Sequence, residues 1–279
     1  MKNSYKNIKI NIKKFNLFSF NNNKKVKEYI KIFHLGELIK KKFKEDKIKS
    51  IKNEILKNVS KKEIKPFDYD LEDLCRLHWL TLSKKAINTL EFGSGWSTIF
   101  IAHACQILNQ TFKDLKDFRV DKNFHVYSLE EDKRYLRITK KRIPSNLKKF
   151  VTIIHSKNKI IDYQGKYATK SLNVPNISPD LIYLDGPSQY ATNNKIDGFD
   201  IKNISRFPMS ADLLYIEYFM EPGAFIIVDG RTANARFLKD HFKRNWKYLH
   251  DKKGDCHYFD LKEEPLGIHN EKKIKFKIS

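Results

Sequence analysis

From Ala86 to Leu261 the chain alternates short apolar runs with stretches of helical spacing, which constrains its fold more than any other feature. The runs are Ala86–Phe92, Phe124–Leu129, Phe150–His155, Asp180–Leu184, Ala224–Val228, Trp246–His250 and Cys256–Leu261. Short continuous apolar runs suit strands buried on both faces, and helical stretches follow the first, second, fourth and fifth. Strands joined by helices predict an α/β fold, doubly wound around a mostly parallel sheet. The last two runs are separated by the turn Lys252-Lys253-Gly254-Asp255 alone, so they are expected to pair as an antiparallel hairpin at the sheet edge. No internal repeat is visible.

The N-terminal quarter reads differently. Residues 1–23 carry a short alternation, Ile8, Ile10, Ile12, and end in three asparagines, which suggests a tail or an added strand. From Lys24 to Ser60 apolar residues recur at steps of three and four (Val26, Tyr29, Ile30, Phe33, Leu38, Ile39, Phe43, Ile48, Ile51, Ile55, Val59), predicting helix broken near Gly36 and Asp46. Such helices either lie on a membrane or partner or pack on the main domain with their lysines outward. Pro66 closes the segment. Asp70 opens a further helix, with Asp73 three residues on in a capping-box arrangement. His78 and Trp79 on that helix are expected in the core.

The 279 residues carry a net charge of +22, but only 9 of the 55 basic residues are arginine. Base and phosphate readers favour arginine for its planar fork, so a lysine excess alone is a solvated surface. Residues 1–65 hold a net +14, so any basic patch for nucleic acid or acidic lipid belongs there. No run of 18 apolar residues is present to span a membrane. The three cysteines, Cys75, Cys105 and Cys256, form no close pair and no zinc spacing, which reads as a reduced, cytoplasmic protein.

The first run ends Leu90-Glu91-Phe92-Gly93-Ser94-Gly95-Trp96-Ser97-Thr98 and enters a helix. Glycines at a strand–helix junction let the backbone turn tightly beside a ligand, and the helix start offers free N–H groups. Thr98 stands where a dinucleotide fingerprint has its third glycine, which counts against NAD or FAD, and no G-K-[ST] follows for a P-loop. The second run ends Tyr127-Ser128-Leu129-Glu130, and an acid at that strand tip is placed to accept hydrogen bonds from two ribose hydroxyls.

These motifs, with Asp-Leu-Ile-Tyr-Leu-Asp-Gly-Pro (180–187) and Glu-Pro-Gly-Ala-Phe-Ile-Ile-Val-Asp-Gly (221–230), resemble the ordered motifs of class I S-adenosylmethionine-dependent methyltransferases. The resemblance runs from about Asp70 to Leu261. It implies a Rossmann-like sheet of seven strands with one antiparallel strand near the end. It divides the chain into a basic helical extension (1–65), an S-adenosylmethionine-binding domain (66–262) and a basic tail (263–279). Carried over by residue, it implies that Glu91, Gly93 and Gly95 line the methionine part of S-adenosylmethionine, with Ser97 and Thr98 at the helix start. Glu130 would hold the ribose. Ser156 stands where the family contacts adenine, although His155 or Lys157 can serve instead. Asp185 would face both the sulfonium and the methyl acceptor.

Asp229 ends the fifth run and should flank the same crevice as Asp185. Two carboxylates there either deprotonate a hydroxyl acceptor or bind a divalent cation such as Mg2+ that lowers its pKa. The catechol and macrocin O-methyltransferases use such carboxylates for a metal, but they place another acid or Asn after the fifth-strand Asp. Here Gly230 and Arg231 follow. Asp197, Asp200 or Asp212 would be needed as a third ligand, and Asp229 can also cap the helix that follows it. Arg231 either clamps an anionic acceptor or pairs with one of the two acids. The polar, aromatic segment 186–209 is expected to read the acceptor through Tyr190 and Arg206. The Asn/Asp-Pro-Pro-Tyr/Phe tetrapeptide of base methylases is absent, which argues against a DNA base methylase. The resulting expectation is O-methylation of a small molecule or saccharide. Its rivals are an RNA methyltransferase using the lysine-rich extension and a non-catalytic binding protein.

Overall fold

The structure, a computed structural model, describes residues 8–40, 69–113, 118–202 and 208–279. Helix α1 (Asn23–Phe33) ends at His34, whose left-handed backbone turns the chain into α2 (Gly36–Lys40). After α3 (Leu71–Ser83) come β1 (Asn88–Phe92), α4 (Trp96–Thr111), β2 (His125–Glu130), α5 (Lys133–Arg142) and β3 (Val151–His155). A hairpin of β4 (Asn158–Tyr163) and β5 (Lys166–Ser171) precedes β6 (Leu181–Leu184), the single turn α6 (Asp212–Tyr215), β7 (Phe225–Asp229) and α7 (Thr232–His241). The chain closes with β8 (Trp246–Asp251), β9 (Cys256–Leu261) and α8 (Ile268–Ile278).

Seven of these strands form one sheet in the order β3-β2-β1-β6-β7-β9-β8. Strand β9 runs antiparallel to both its neighbours, and the other adjacent pairs are parallel. The expected terminal hairpin is therefore present, with β9 inserted inside the edge and β8 on it. The chain steps outward from β1 through β2 to β3, then restarts at β6 on the other side of β1. Ligands of open parallel sheets bind at this switch point, outside the carboxyl ends of the strands. Burial of all five residues of β1 and all four of β6 shows that both faces are covered, as their continuous apolar runs require.

Asp70 caps α3 as expected, accepting from the Glu72 N–H at 2.8 Å, but Asp73 turns toward Arg76 instead of completing a capping box. The alternation at 8–12 does not make a strand. Residues 8–12 are helical, with Ile10 exposed and Ile8 and Ile12 turned inward, because a spacing of four fits one helical side as well as it fits strand. Their neighbours Phe15 and Phe20 pack edge-on against Tyr29, with ring centroids 5.0 and 5.2 Å away. The apolar side of α1 (Val26, Tyr29, Phe33) is buried while Lys24, Lys27 and Lys31 face water, so this part of the extension packs on the main domain. The remainder of the predicted helix, from Lys41 to Ser60, lies outside the described residues.

His78 and Trp79 take core positions. The His78 ring sits between the Tyr29 hydroxyl (2.8 Å) and His103 (3.0 Å), and the Trp79 indole N–H donates to the Ile12 carbonyl at 3.1 Å. Residues 268–278, expected as part of a tail, are helix α8. Its Phe276 packs against Phe112 and Phe118, and its Lys277 pairs with Asp180 at 3.0 Å. Among the described residues no helix is long and apolar enough to cross a membrane.

Candidate functional site

At the switch point the ends of β1, β2, β6 and β7 meet the start of α3 around a cavity of about 420 Å³. Gly93 leaves β1 with φ +102°, a left-handed conformation that a side chain would strain, and turns the chain over the strand tip. The loop from β6 presses directly on this turn. The Asp185 N–H donates to the Phe92 carbonyl at 3.1 Å, and a Cβ on Gly186 would lie 3.0 Å from the backbone of Phe92 and Gly93. At Gly95, by contrast, a Cβ would meet nothing within 4 Å among the described residues. Glycine there leaves open a volume that a side chain would occupy, which fits a loop shaped to seat a ligand.

Beneath the loop, Glu91 is fully buried. Its Oε2 accepts from the Thr98 hydroxyl at 2.6 Å and from the Ser128 hydroxyl, and Thr98 in turn accepts from the Gly95 N–H at 3.1 Å. Among the described residues its Oε1 has no hydrogen-bond partner, and burial pushes the carboxyl pKa up to about 7. Glu91 and Thr98 thus brace the glycine loop from below and do not line the cavity. Glu130 does line it. One carboxylate oxygen accepts from the Ser94 N–H and hydroxyl (3.1 and 2.7 Å) and the other from the Asp132 N–H (3.0 Å). Burial and the neighbouring Glu131 raise its pKa above the usual carboxylate range.

Asp185 and Asp229 line the opposite wall. Asp185 opens to the cavity, while the protein packed around it pushes its pKa up against the pull of Arg231. The Arg231 guanidinium lies 3.6 Å from Asp185 Oδ1 and donates to the Asp185 carbonyl (2.6 Å) and the Pro187 carbonyl (3.0 Å). Arg231 thus sits beside Asp185 and holds the β6 loop through the two carbonyls. Asp229 accepts from the Tyr183 hydroxyl at 2.6 Å and lies 3.5 Å from the Cys256 thiol, and its pKa is raised by burial. It does not cap α7, whose cap position is Arg231.

The cavity also gathers residues that the sequence reading did not assign to it. Asp73 brings a third carboxylate from α3, and its ligand atom, that of Asp229 and the Cys256 sulfur lie within 4.8 Å of one another. Behind them Arg76 is completely buried, donating to Asp73, to Cys256 Sγ at 3.2 Å and to Asn21 Oδ1 at 2.9 Å. Trp96 and Tyr69 meet edge to face at 5.4 Å at the mouth, with the Arg142 guanidinium 5.0 Å from the Trp96 ring. The acids first considered as a third ligand are engaged elsewhere. Asp197 accepts from the Tyr167 hydroxyl, Asp200 pairs with Lys195, and buried Asp212 accepts from the Ser171 N–H and the Ser210 hydroxyl.

Of the residues expected from sequence, Gly93, Gly95, Ser97, Glu130, Asp185, Asp229 and Arg231 thus share one cavity. Ser156 is buried behind it, accepting from the Asn173 N–H at 3.0 Å, in a recess of only about 10 Å³ shared with Asn158 and Ser171. Tyr190 is not among the lining residues, and Arg206 lies outside the described residues.

A divalent cation of the Mg2+ type needs about six oxygen ligands. Here Asp185 faces the Arg231 guanidinium at 3.6 Å, Asp73 is bonded to Arg76, and Asp229 to a hydroxyl and a thiol, while Gly230 offers no side chain after Asp229. This donor set does not fit such an ion. An S-adenosylmethionine-type ligand fits better, because the lining acids Asp70, Asp73, Glu130, Glu131, Asp185 and Asp229 outnumber the cations Arg142 and Arg231 and suit a positively charged sulfonium.

No protein-family description matches the chain, and no curated protein matches it in sequence. Among solved structures it is similar to the O-methyltransferase from Bacillus cereus in complex with SAH, at 15% identity and a TM-score of 0.41, covering 87% of this chain and 92% of that one. It is also similar to the O-methyltransferase TomG from Streptomyces achromogenes, in complex with SAM (13% identity, TM-score 0.40, 70% of this chain and 82% of that one). The SAH-bound methyltransferase PaMTH1 from Podospora anserina shows a comparable likeness (10% identity, TM-score 0.41, 70% and 80%).

Proposed function

We propose that the protein transfers a methyl group from S-adenosylmethionine to a hydroxyl of an uncharged small molecule or saccharide. The observation that carries this reading is the convergence, in one cavity at the switch point, of the Gly93–Gly95 loop, the Glu130 tip and the Asp185/Asp229 wall. Glu130 would accept the ribose hydroxyls, and the glycine loop would pass under the methionine part. When bound, the sulfonium would supply an electrophilic methyl, its C–S bond breaking as the bond to the acceptor oxygen forms. The chain's own contribution is to align the two reactants and exclude water, and to take up the hydroxyl proton on Asp229. Tyr183 orients the receiving carboxylate, and Arg231 fixes the loop that carries Asp185.

The acid lining also bears on the acceptor. A phosphate or a nucleic-acid backbone brought to this wall would meet Asp73, Asp185 and Asp229, so the reading favours neutral acceptors over anionic ones. Incubation with methyl-labelled S-adenosylmethionine and panels of neutral glycosides, sugar phosphates and RNA tests it. Label transferred to a neutral hydroxyl is expected. Label found only in RNA or in phosphorylated acceptors contradicts it.

A further inference from the structure

Asp73, Asp229 and Cys256 bring three potential ligand atoms within 4.8 Å of one another, an arrangement that by itself invites a metal. The space is already served by a cation. Arg76 Nη1 donates to the Asp73 carboxylate and sits 3.2 Å from Cys256 Sγ, engaging two of the three candidate ligands. Arg76 is wholly buried and tied on its far side to Asn21, which also holds Asp251 through its amide at 2.8 Å. The guanidinium is thus anchored from the N-terminal segment, from α3 and from β9 at once. On the same wall the largely buried Arg231 donates to the Asp185 carbonyl at 2.6 Å and places its guanidinium 3.6 Å from the Asp185 carboxylate.

We infer that Arg76 and Arg231 take the place of a divalent cation at this site, so that its carboxylates work without metal. The inference rests on the methyl-transfer reading for its purpose, but not for its physics. An ion placed among Asp73, Asp185 and Asp229 would have to approach two fixed guanidinium groups and displace them from their partners. Arginine cannot relieve that conflict by losing its proton, as a lysine could. The positive charge that a metal would bring is already built into the chain, Arg76 beside Asp73 and Cys256 and Arg231 beside Asp185.

The test is metal binding by the full-length protein, with and without S-adenosylhomocysteine. Free Mn2+ is followed by electron paramagnetic resonance, and Co2+, which accepts both oxygen and thiolate ligands, by its visible absorption. Wild type is expected to show no site tighter than about millimolar, a range in which surface carboxylates also bind weakly. Arg76→Gln removes the charge and keeps a polar side chain, and it is expected to tighten Co2+ binding at least tenfold. Should that variant fail to fold by circular dichroism, Arg231→Gln, which releases Asp185, carries the same expectation. One micromolar Mn2+ or Co2+ site in wild type, lost in Asp229→Asn, overturns the inference. A folded charge-removing variant that takes up no more metal than wild type overturns the cause assigned here. S-adenosylhomocysteine binding is read in the same samples, so failure of the methyl-transfer reading would show separately as a missing ligand signal.

Discussion

The Tyr183 hydroxyl donates a 2.6 Å hydrogen bond to Asp229 Oδ2 across the β6–β7 pair. Tyr183 is paired in register with Ile227, so its ring reaches two residues further to the strand tip and is buried on the way. This bond lowers the Asp229 pKa against the larger effect of burial. Tyr183→Phe should therefore raise it further and leave the carboxylate less well oriented. Turnover is expected to fall by about tenfold, the effect of roughly 1.4 kcal/mol, with the acid limb of the pH–rate profile moved upward. An unchanged acid limb would contradict this role.

Glu91 governs a different pH response. Its carboxyl moves from an ordinary value of 4.5 to about 7 because burial outweighs the hydrogen bonds that it accepts. The folded state therefore keeps a proton that the unfolded chain releases. That contribution is full below pH 4.5 and is lost as pH rises through 7, a change of roughly 3 kcal/mol. Glu91→Gln retains an acceptor for Thr98 and Ser128 but cannot ionise. Its melting temperature should gain on wild type as pH rises from 5 to 8. A difference that stays constant over that range would contradict the assignment.

Two glycines separate fold from ligand. Gly186→Ala places a Cβ 3.0 Å from the backbone of Phe92 and Gly93, where neither side can yield. A loss of about 1–3 kcal/mol is expected in urea denaturation. Gly95→Ala meets nothing, so its stability should stay within about 0.5 kcal/mol of wild type, while S-adenosylhomocysteine binding weakens because the methyl projects into the cavity. Equal losses of stability in both variants would contradict this division.

How much of this was legible in the sequence follows from the range of each signal. The main sheet was readable because its strands are continuous apolar runs, and the Gly93–Gly95, Glu130, Asp185 and Asp229 positions because strand tips beside glycines and acids are local patterns. The β4–β5 hairpin was missed although Tyr163-Gln164-Gly165-Lys166 signals it. Gln164 and Gly165 both adopt positive φ, as a two-residue hairpin turn demands. Asp73 and Arg76 lay hidden for another reason. On α3 Asp73 reads as a capping acid and Arg76 belongs to no motif, and only the packing of α3 against β9 and the N-terminal segment brings them to the site. The placement of Ser156 behind the cavity likewise depends on the Asn173 backbone, which no pattern near Ser156 announces.

The N-terminal segment should be coupled to the site through Asn21, whose side chain accepts from Arg76 and donates to Asp251. Asn21→Ala leaves both buried partners short of a hydrogen bond and is expected to lower stability by about 2 kcal/mol. Denaturant unfolding measures it. A change under about 0.5 kcal/mol would mean that the segment contributes nothing through this contact.

The most direct test is calorimetric titration of the full-length protein with S-adenosylhomocysteine, alongside Glu130→Gln. One site of micromolar affinity is expected, weakened at least tenfold by the substitution, because the amide NH2 replaces one of the two acceptor oxygens. Absence of binding at millimolar ligand, or binding indifferent to Glu130, would contradict the assignment of this cavity to S-adenosylmethionine.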